Sequence, residues 1–165
     1  MFQKMLQGGS GGSTPVDTHD YLYNEGFLKD IAWVRTGYNY NGTGNILSID
    51  TDSLEYCIVL KAASGNTGVL GTEKTVDLTN YTILCLEYNL TSINGIGPII
   101  VLNPTSKRLD VNGTYLNNIP WELNKDSVLR LTIPSSARTN CYVGIVNGGD
   151  GIWHAYGTIK KIWVE

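Results

Sequence analysis

From Tyr21 onward the apolar residues recur at every second position, and that period dictates strands rather than helices. Leu54, Tyr56, Ile58 and Leu60 alternate with Glu55, Cys57, Val59 and Lys61. Leu84, Leu86, Tyr88 and Leu90 alternate with Ile83, Cys85, Glu87 and Asn89. Residues 128–134, 141–146 and 156–164 follow the same rule. Successive side chains of a strand point to opposite faces, so each run buries one face and shows the other. Pieces rich in Gly, Asn and Ser separate these runs at 39–45, 64–68, 94–98, 103–112, 135–140 and 147–151. No helical stripe follows Gly12, apart from a single turn expected near Thr79–Tyr81.

With 165 residues, 42% of them hydrophobic and only 16% charged, the chain suits one packed domain rather than a disordered one. Many strands around one core of this size predict an all-β fold, an antiparallel β-sandwich. The expected division is an arm over residues 1–19 and a sandwich over 20–165.

The arm has its own logic. Phe2, Met5 and Leu6 fall on one face of a helical turn, and Gly8-Gly9-Ser10-Gly11-Gly12-Ser13 is a flexible tether by composition. Burying those three side chains contributes about 1.5–3 kcal/mol each. Fixing some six backbone residues costs about 1–2 kcal/mol each. The two terms nearly cancel, so docking requires a pocket on a neighbour or several arms acting together. A frayed terminus is the competing reading.

Several functional classes find no support in the residues. A net charge of −3 without a basic stripe argues against nucleic acid. The most apolar run, 96–102, is short and broken by Gly97 and Pro98, so no membrane insertion is expected. The opening residues show no secretion signal, since glycine and serine follow Leu6. His19 and His154 lie far apart, and neither Gly-x-Ser-x-Gly nor a phosphate loop is present, so no catalytic residue, cofactor or metal is expected. Asp50, Asp52 and Glu55 cluster at a strand entrance but lack calcium-loop spacing, and read as a solvated turn. Cys57, Cys85 and Cys141 sit in apolar runs and read as buried free thiols, with a Cys57–Cys85 or Cys85–Cys141 bridge left open.

Binding is better supported. Ten Tyr and four Trp stand against two Phe, so most rings carry a polar handle suited to wet interfaces. One loop gathers Trp33, Tyr38 and Tyr40 among glycines and asparagines; another gathers Asp150, Trp153, His154 and Tyr156. Rings that stack on sugar CH groups, beside Asn and Asp for the hydroxyls, make these seven the candidate glycan-binding residues. The structural alternative is that Trp33, Trp153 and Tyr156 cap the core. Trp163 is expected at a sheet face or subunit contact, and Trp121 in a loop covering a sheet edge. A homotrimer would also cover such edges.

The order of features carries a resemblance. Asp20-Tyr21-Leu22-Tyr23-Asn24-Glu25-Gly26 precedes Trp33; Val76-Asp77-Leu78-Thr79-Asn80-Tyr81 leads into the strand from Thr82; Tyr142-Val143-Gly144-Ile145 and Thr158-Ile159-Lys160-Lys161-Ile162-Trp163-Val164-Glu165 close the chain. Residues 20–165 resemble the jelly-roll, galactose-binding-like domains of phage and prophage virion proteins from Gram-positive gut bacteria. The resemblance implies a non-enzymatic structural protein on the virion surface, such as a head fibre, capsid decoration or small tail protein. It implies that other virion proteins hold the arm through Phe2, Met5 and Leu6. The alternative is an adhesin or carbohydrate-binding module for host glycans. The acidic calcium ligands of related sugar-binding jelly rolls have no counterpart here.

Overall fold

The computed structural model describes residues 20–23, 33–35, 47–49, 57–61, 67–109, 112–116, 119–148 and 153–165. At 20, 21, 23, 35, 47–49, 67, 153 and 154 it describes the backbone alone. Twelve strands lie among these residues: β1 (Asp20–Tyr23), β2 (Trp33–Arg35), β3 (Leu47–Ile49), β4 (Ile58–Leu60), β5 (Thr67–Thr72), β6 (Val76–Asp77), β7 (Ile83–Gly95), β8 (Ile99–Asn103), β9 (Thr114–Leu116), β10 (Ser127–Thr132), β11 (Asn140–Gly148) and β12 (Trp153–Val164). They form two antiparallel sheets facing each other, an all-β sandwich.

The first sheet runs β10-β7-β12-β4-β3, and β1 extends the β4 side of β12. The second runs β2-β5-β11-β8-β9, and β6 joins β11 beside β5. The two longest central strands are β7 and β12, paired along almost their whole length. Opposite them lies β11, hydrogen-bonded to β5 and β6 on one edge and β8 on the other.

The alternation in the sequence is the alternation of burial. Leu84, Leu86, Tyr88 and Leu90 of β7 face the core, meeting Ile100 and Leu102 of β8 and Val143 and Ile145 of β11 in one cluster. Ile58 and Leu60 of β4 and Ile159, Ile162 and Val164 of β12 complete it. Residues 54–56 of the expected run lie outside the described residues. Two bulges break the period. Thr91 is the extra residue on β7, so Tyr156 pairs with Ser92 and Gly157 with Leu90. Lys160 is the extra residue on β12, which places Lys160 and Lys161 both away from the core.

Each sheet also carries a smaller apolar cluster on its outer face. On the first, Trp163 covers Cys85 beside Ile83, in keeping with the sheet-face position expected of Trp163. On the second, Val69, Ile99, Val101 and Val146 lie under Leu109, which the loop after β8 folds back over the sheet. Asn103 organises that loop: its Oδ1 accepts from Thr105 N (2.9 Å) and Ser106 N (3.0 Å), and its Nδ2 donates to Arg108 O (3.2 Å).

Three details differ from expectation. Trp121 sits in the core rather than over a sheet edge, because its ring meets Tyr88 edge-on, with centroids 4.9 Å apart. The Tyr88 hydroxyl accepts from Glu122 N at 3.0 Å and so fixes that segment below the sheet. Residues 79–81 form a turn rather than helix, since the Asp77 carboxylate takes the Thr79 N–H (2.9 Å). The described helical turn is 3-10, at Ser135–Ala137, just after Pro134. All three cysteines are free and buried.

Candidate functional site

The register sorts the sequence motifs onto two ends of the sandwich. β12 runs from Trp153 to Val164, twelve residues, or roughly 40 Å of extended chain. At its Val164 end Asp20 pairs with Val164, so residues 1–19 join the sandwich there. At its Trp153 end lie Gly148 of β11, Thr67 and Gly68 of β5 and the turn from Gly95 to Pro98. β2 points the same way: Arg35, its last residue, pairs with Leu70, and the next β5 positions, Val69, Gly68 and Thr67, pair with Val146, Asn147 and Gly148. The chain therefore leaves β2 and β11 at one end, opposite the end where Asp20 pairs with Val164.

Individual candidates fare differently. Trp33 lies in the core, 6% exposed, and its indole N–H donates to Leu22 O at 2.8 Å. That hydrogen bond joins β2 of one sheet to β1 of the other. Tyr156 is 45% exposed on the outer face of the first sheet. Trp153 pairs with Gly95 and His154 with Asn94 in the β12–β7 ladder. Tyr38, Tyr40 and Asp150 lie outside the described residues, as do Phe2, Met5, Leu6 and the acidic cluster Asp50, Asp52 and Glu55. The structure thus brings Tyr156 together with the backbone of Trp153 and His154, and turns Trp33 to the core.

Around Tyr156 stands a polar strip that sequence reading misses. Thr91, Ser92 and Asn94 are all exposed. The Thr91 hydroxyl donates to Tyr156 O at 3.3 Å. Simple alternation puts Thr91 and Ser92 on opposite faces; the bulge at Thr91 exposes both. A Leu-Thr-Ser-Ile step in an apolar strand is its only trace in the sequence.

Beneath the strip, Asn147 ties the two sheets together. It is fully buried, its Oδ1 accepts the Ala155 N–H at 2.8 Å, and its Nδ2 donates to Ala155 O (3.2 Å) and Lys61 O (3.3 Å). β4 ends at Leu60, opposite Gly157. The Asn147 amide fills the place of a strand at the next position along that edge of β12.

Farther along the same outer face the charges are matched. Asp126 accepts from Asn89 Nδ2 (2.8 Å) and Lys160 Nζ (3.2 Å), and these bonds hold its carboxyl below the ordinary value. Lys161 pairs with Glu87 (3.6 Å) and Arg130 with Glu165, while in the loop before β10 Lys125 pairs with Glu122 (3.0 Å). Among the described residues no three His, Cys, Asp or Glu side chains gather as metal ligands do, and no helix is long and apolar enough to cross a membrane. The described part of this end offers one exposed ring, three exposed hydrogen-bonding side chains and a rigid support. That combination suits surface recognition of a polar ligand.

A scan against models of known protein families finds no match, and a search of curated proteins finds none either.

Proposed function

We propose that this chain is a non-enzymatic virion protein of a phage, held on the particle by its N-terminal arm and displaying a jelly-roll sandwich outward. The observation that carries this reading is the opposition of the two ends. Asp20, where the arm joins, pairs with Val164, whereas the aromatic loops leave beside Trp153 and Gly148. An anchor at one pole leaves the other free, as a head fibre, decoration or small tail protein requires. The frequent crossing of the chain between sheets (β1 to β2, β2 to β3, β4 to β5, β6 to β7, β7 to β8, β9 to β10, β10 to β11, β11 to β12) supports the jelly-roll form. Partners are other virion proteins at Phe2, Met5 and Leu6. Deleting residues 1–16 abolishes incorporation into particles and leaves the circular dichroism of the sandwich unchanged. Unchanged incorporation overturns the reading. Light scattering of both forms tests the trimer: a trimer in both places oligomerisation in the sandwich.

A second reading rests on the polar strip: the display end holds host glycans through Tyr156, with Trp153 and His154 beside it. Tyr156→Ala then loses binding on an array of Gram-positive wall glycans while keeping its unfolding midpoint. Silence of the native protein across that array overturns this reading and leaves the structural one standing.

A further inference from the structure

Four Asn-Gly pairs occur in the chain, at Asn41, Asn94, Asn112 and Asn147. Asn-Gly is chemically labile, because a glycine nitrogen, with no Cβ beside it, reaches the preceding side-chain amide unhindered. Folding decides which pairs react. Attack needs a side chain free to turn and a glycine N–H not held in a ladder. The pair at Asn41 lies outside the described residues; the other three meet these conditions differently.

At Asn147 the first condition fails: the amide is fully buried and held by hydrogen bonds to Ala155 and Lys61. At Asn112 the side chain is exposed and Gly113 lies outside the strands, but the backbone is crowded, since a Cβ at Gly113 would lie 2.8 Å from Leu109 O, which restricts the backbone turn that ring closure needs.

At Asn94 both hold, and the reason lies in the clamp just described. The N–H and C=O of Ala155 face Asn147, away from β7. Strand polar groups alternate sides, so His154 and Tyr156 are the residues that address β7. The opposing pairs are therefore Asn94 with His154 and Ser92 with Tyr156. Gly95, opposite Trp153, turns its N–H away from β12, and no described strand pairs β7 on that other side beyond Leu90. Asn94 and Gly95 are both exposed at the strand end, where Gly95 adopts φ 62° as the chain turns.

We infer that Asn94 is a site of spontaneous deamidation through Gly95, at the display end of the sandwich. The Gly95 nitrogen gives its proton to solvent base and attacks Asn94 Cγ. The N–Cγ bond forms, the Cγ–Nδ2 bond breaks, and ammonia leaves with a proton from solvent, closing a succinimide. Water then adds at either imide carbonyl, giving aspartate or isoaspartate with no change of oxidation state. The product places a carboxylate beside Ser92 and Tyr156 where a neutral amide stood, so the polar strip gains negative charge as the protein ages. This site is independent of whether the strip binds glycans.

The test is incubation of the full chain at mildly alkaline pH, followed by peptide mass mapping. The Asn94 peptide gains about one mass unit and splits into aspartate and isoaspartate forms at least roughly tenfold faster than the Asn147 peptide, whose reaction waits on local opening. In concentrated guanidinium the two peptides convert at similar rates. Asn94→Gln, which cannot close the five-membered ring, removes the change from its own peptide alone. Equal native rates at Asn94 and Asn147 overturn the inference. So does a difference that persists in guanidinium, since it would then belong to local sequence rather than to the fold.

Discussion

Asn147 of one sheet holds both polar backbone groups of Ala155 in the other, accepting its N–H at 2.8 Å and donating to its carbonyl at 3.2 Å. A single amide thereby satisfies a strand edge that β4 leaves bare. Asn147→Ala strands the buried N–H and C=O of Ala155 without partners, a loss of about 1–3 kcal/mol. Asn147→Asp costs more, because it removes the donor and buries a charge beside two carbonyls. Urea unfolding of the three proteins checks both the size and the order. An unchanged midpoint for Asn147→Ala would mean that the clamp carries no stability.

Gly157 is required where the first bulge closes. It adopts φ 145°, a conformation that residues with a Cβ rarely take, and a Cβ there would sit 2.7 Å from Leu90 Cα. Backbone cannot yield as a flexible side chain does. Gly157→Ala destabilises by at least about 2 kcal/mol, read from thermal or urea unfolding. The same substitution at Gly95, which is exposed and has φ 62°, costs less, and the contrast separates close packing from positive φ alone.

The sandwich is legible in the sequence because burial of one face needs only a period of two. Leu84, Leu86, Tyr88 and Leu90 announce β7, and Ile159 and Ile162 announce β12 within one slip of phase. What is not legible is each place where that phase changes. Thr91 and Lys160 are bulged residues with little compositional mark, and the bulge at Thr91 decides that Ser92 joins Tyr156 outside. Asn147 looks like the start of a turn, since glycines follow it, yet its side chain is fully buried and bonds Ala155 and Lys61. Trp33 carries the composition of a ligand platform and spends its N–H on Leu22 O instead. Trp121 reads as a loop cover because Pro120 precedes it, while Tyr88, thirty-three positions earlier, draws it inward.

Leu109 and Gly144 form a knob and its hole on the outer face of the second sheet. A Cβ at Gly144 would overlap Leu109 Cδ1 and lie 2.8 Å from Leu70 O. Leu109→Ala empties a fully buried site and costs about 2–5 kcal/mol. Gly144→Ala is destabilising on its own, yet in the Leu109→Ala background its added cost falls, since one of its two clashes is gone. Rescue is partial because the Leu70 carbonyl cannot move aside. A double-mutant cycle measures this coupling, and strict additivity would show that the loop does not rest on Gly144.

Cys85 gives the fold an alkaline limit. Its thiol lies fully buried beneath Trp163, and burial first, then the nearby Glu165 carboxylate, raises its pKa from 9.0 to about 11. Below pH 9 the thiol is neutral both folded and unfolded, so its contribution is constant. Between pH 9 and about 11 the unfolded chain releases this proton while the folded chain keeps it, and stability falls as pH rises. Cys85→Ala lacks this titration and keeps the Arg130–Glu165 pair. Urea midpoints from pH 7 upward therefore show the native protein losing more than Cys85→Ala once pH passes 9. Parallel curves for the two proteins would place the thiol in contact with water and refute its burial under Trp163.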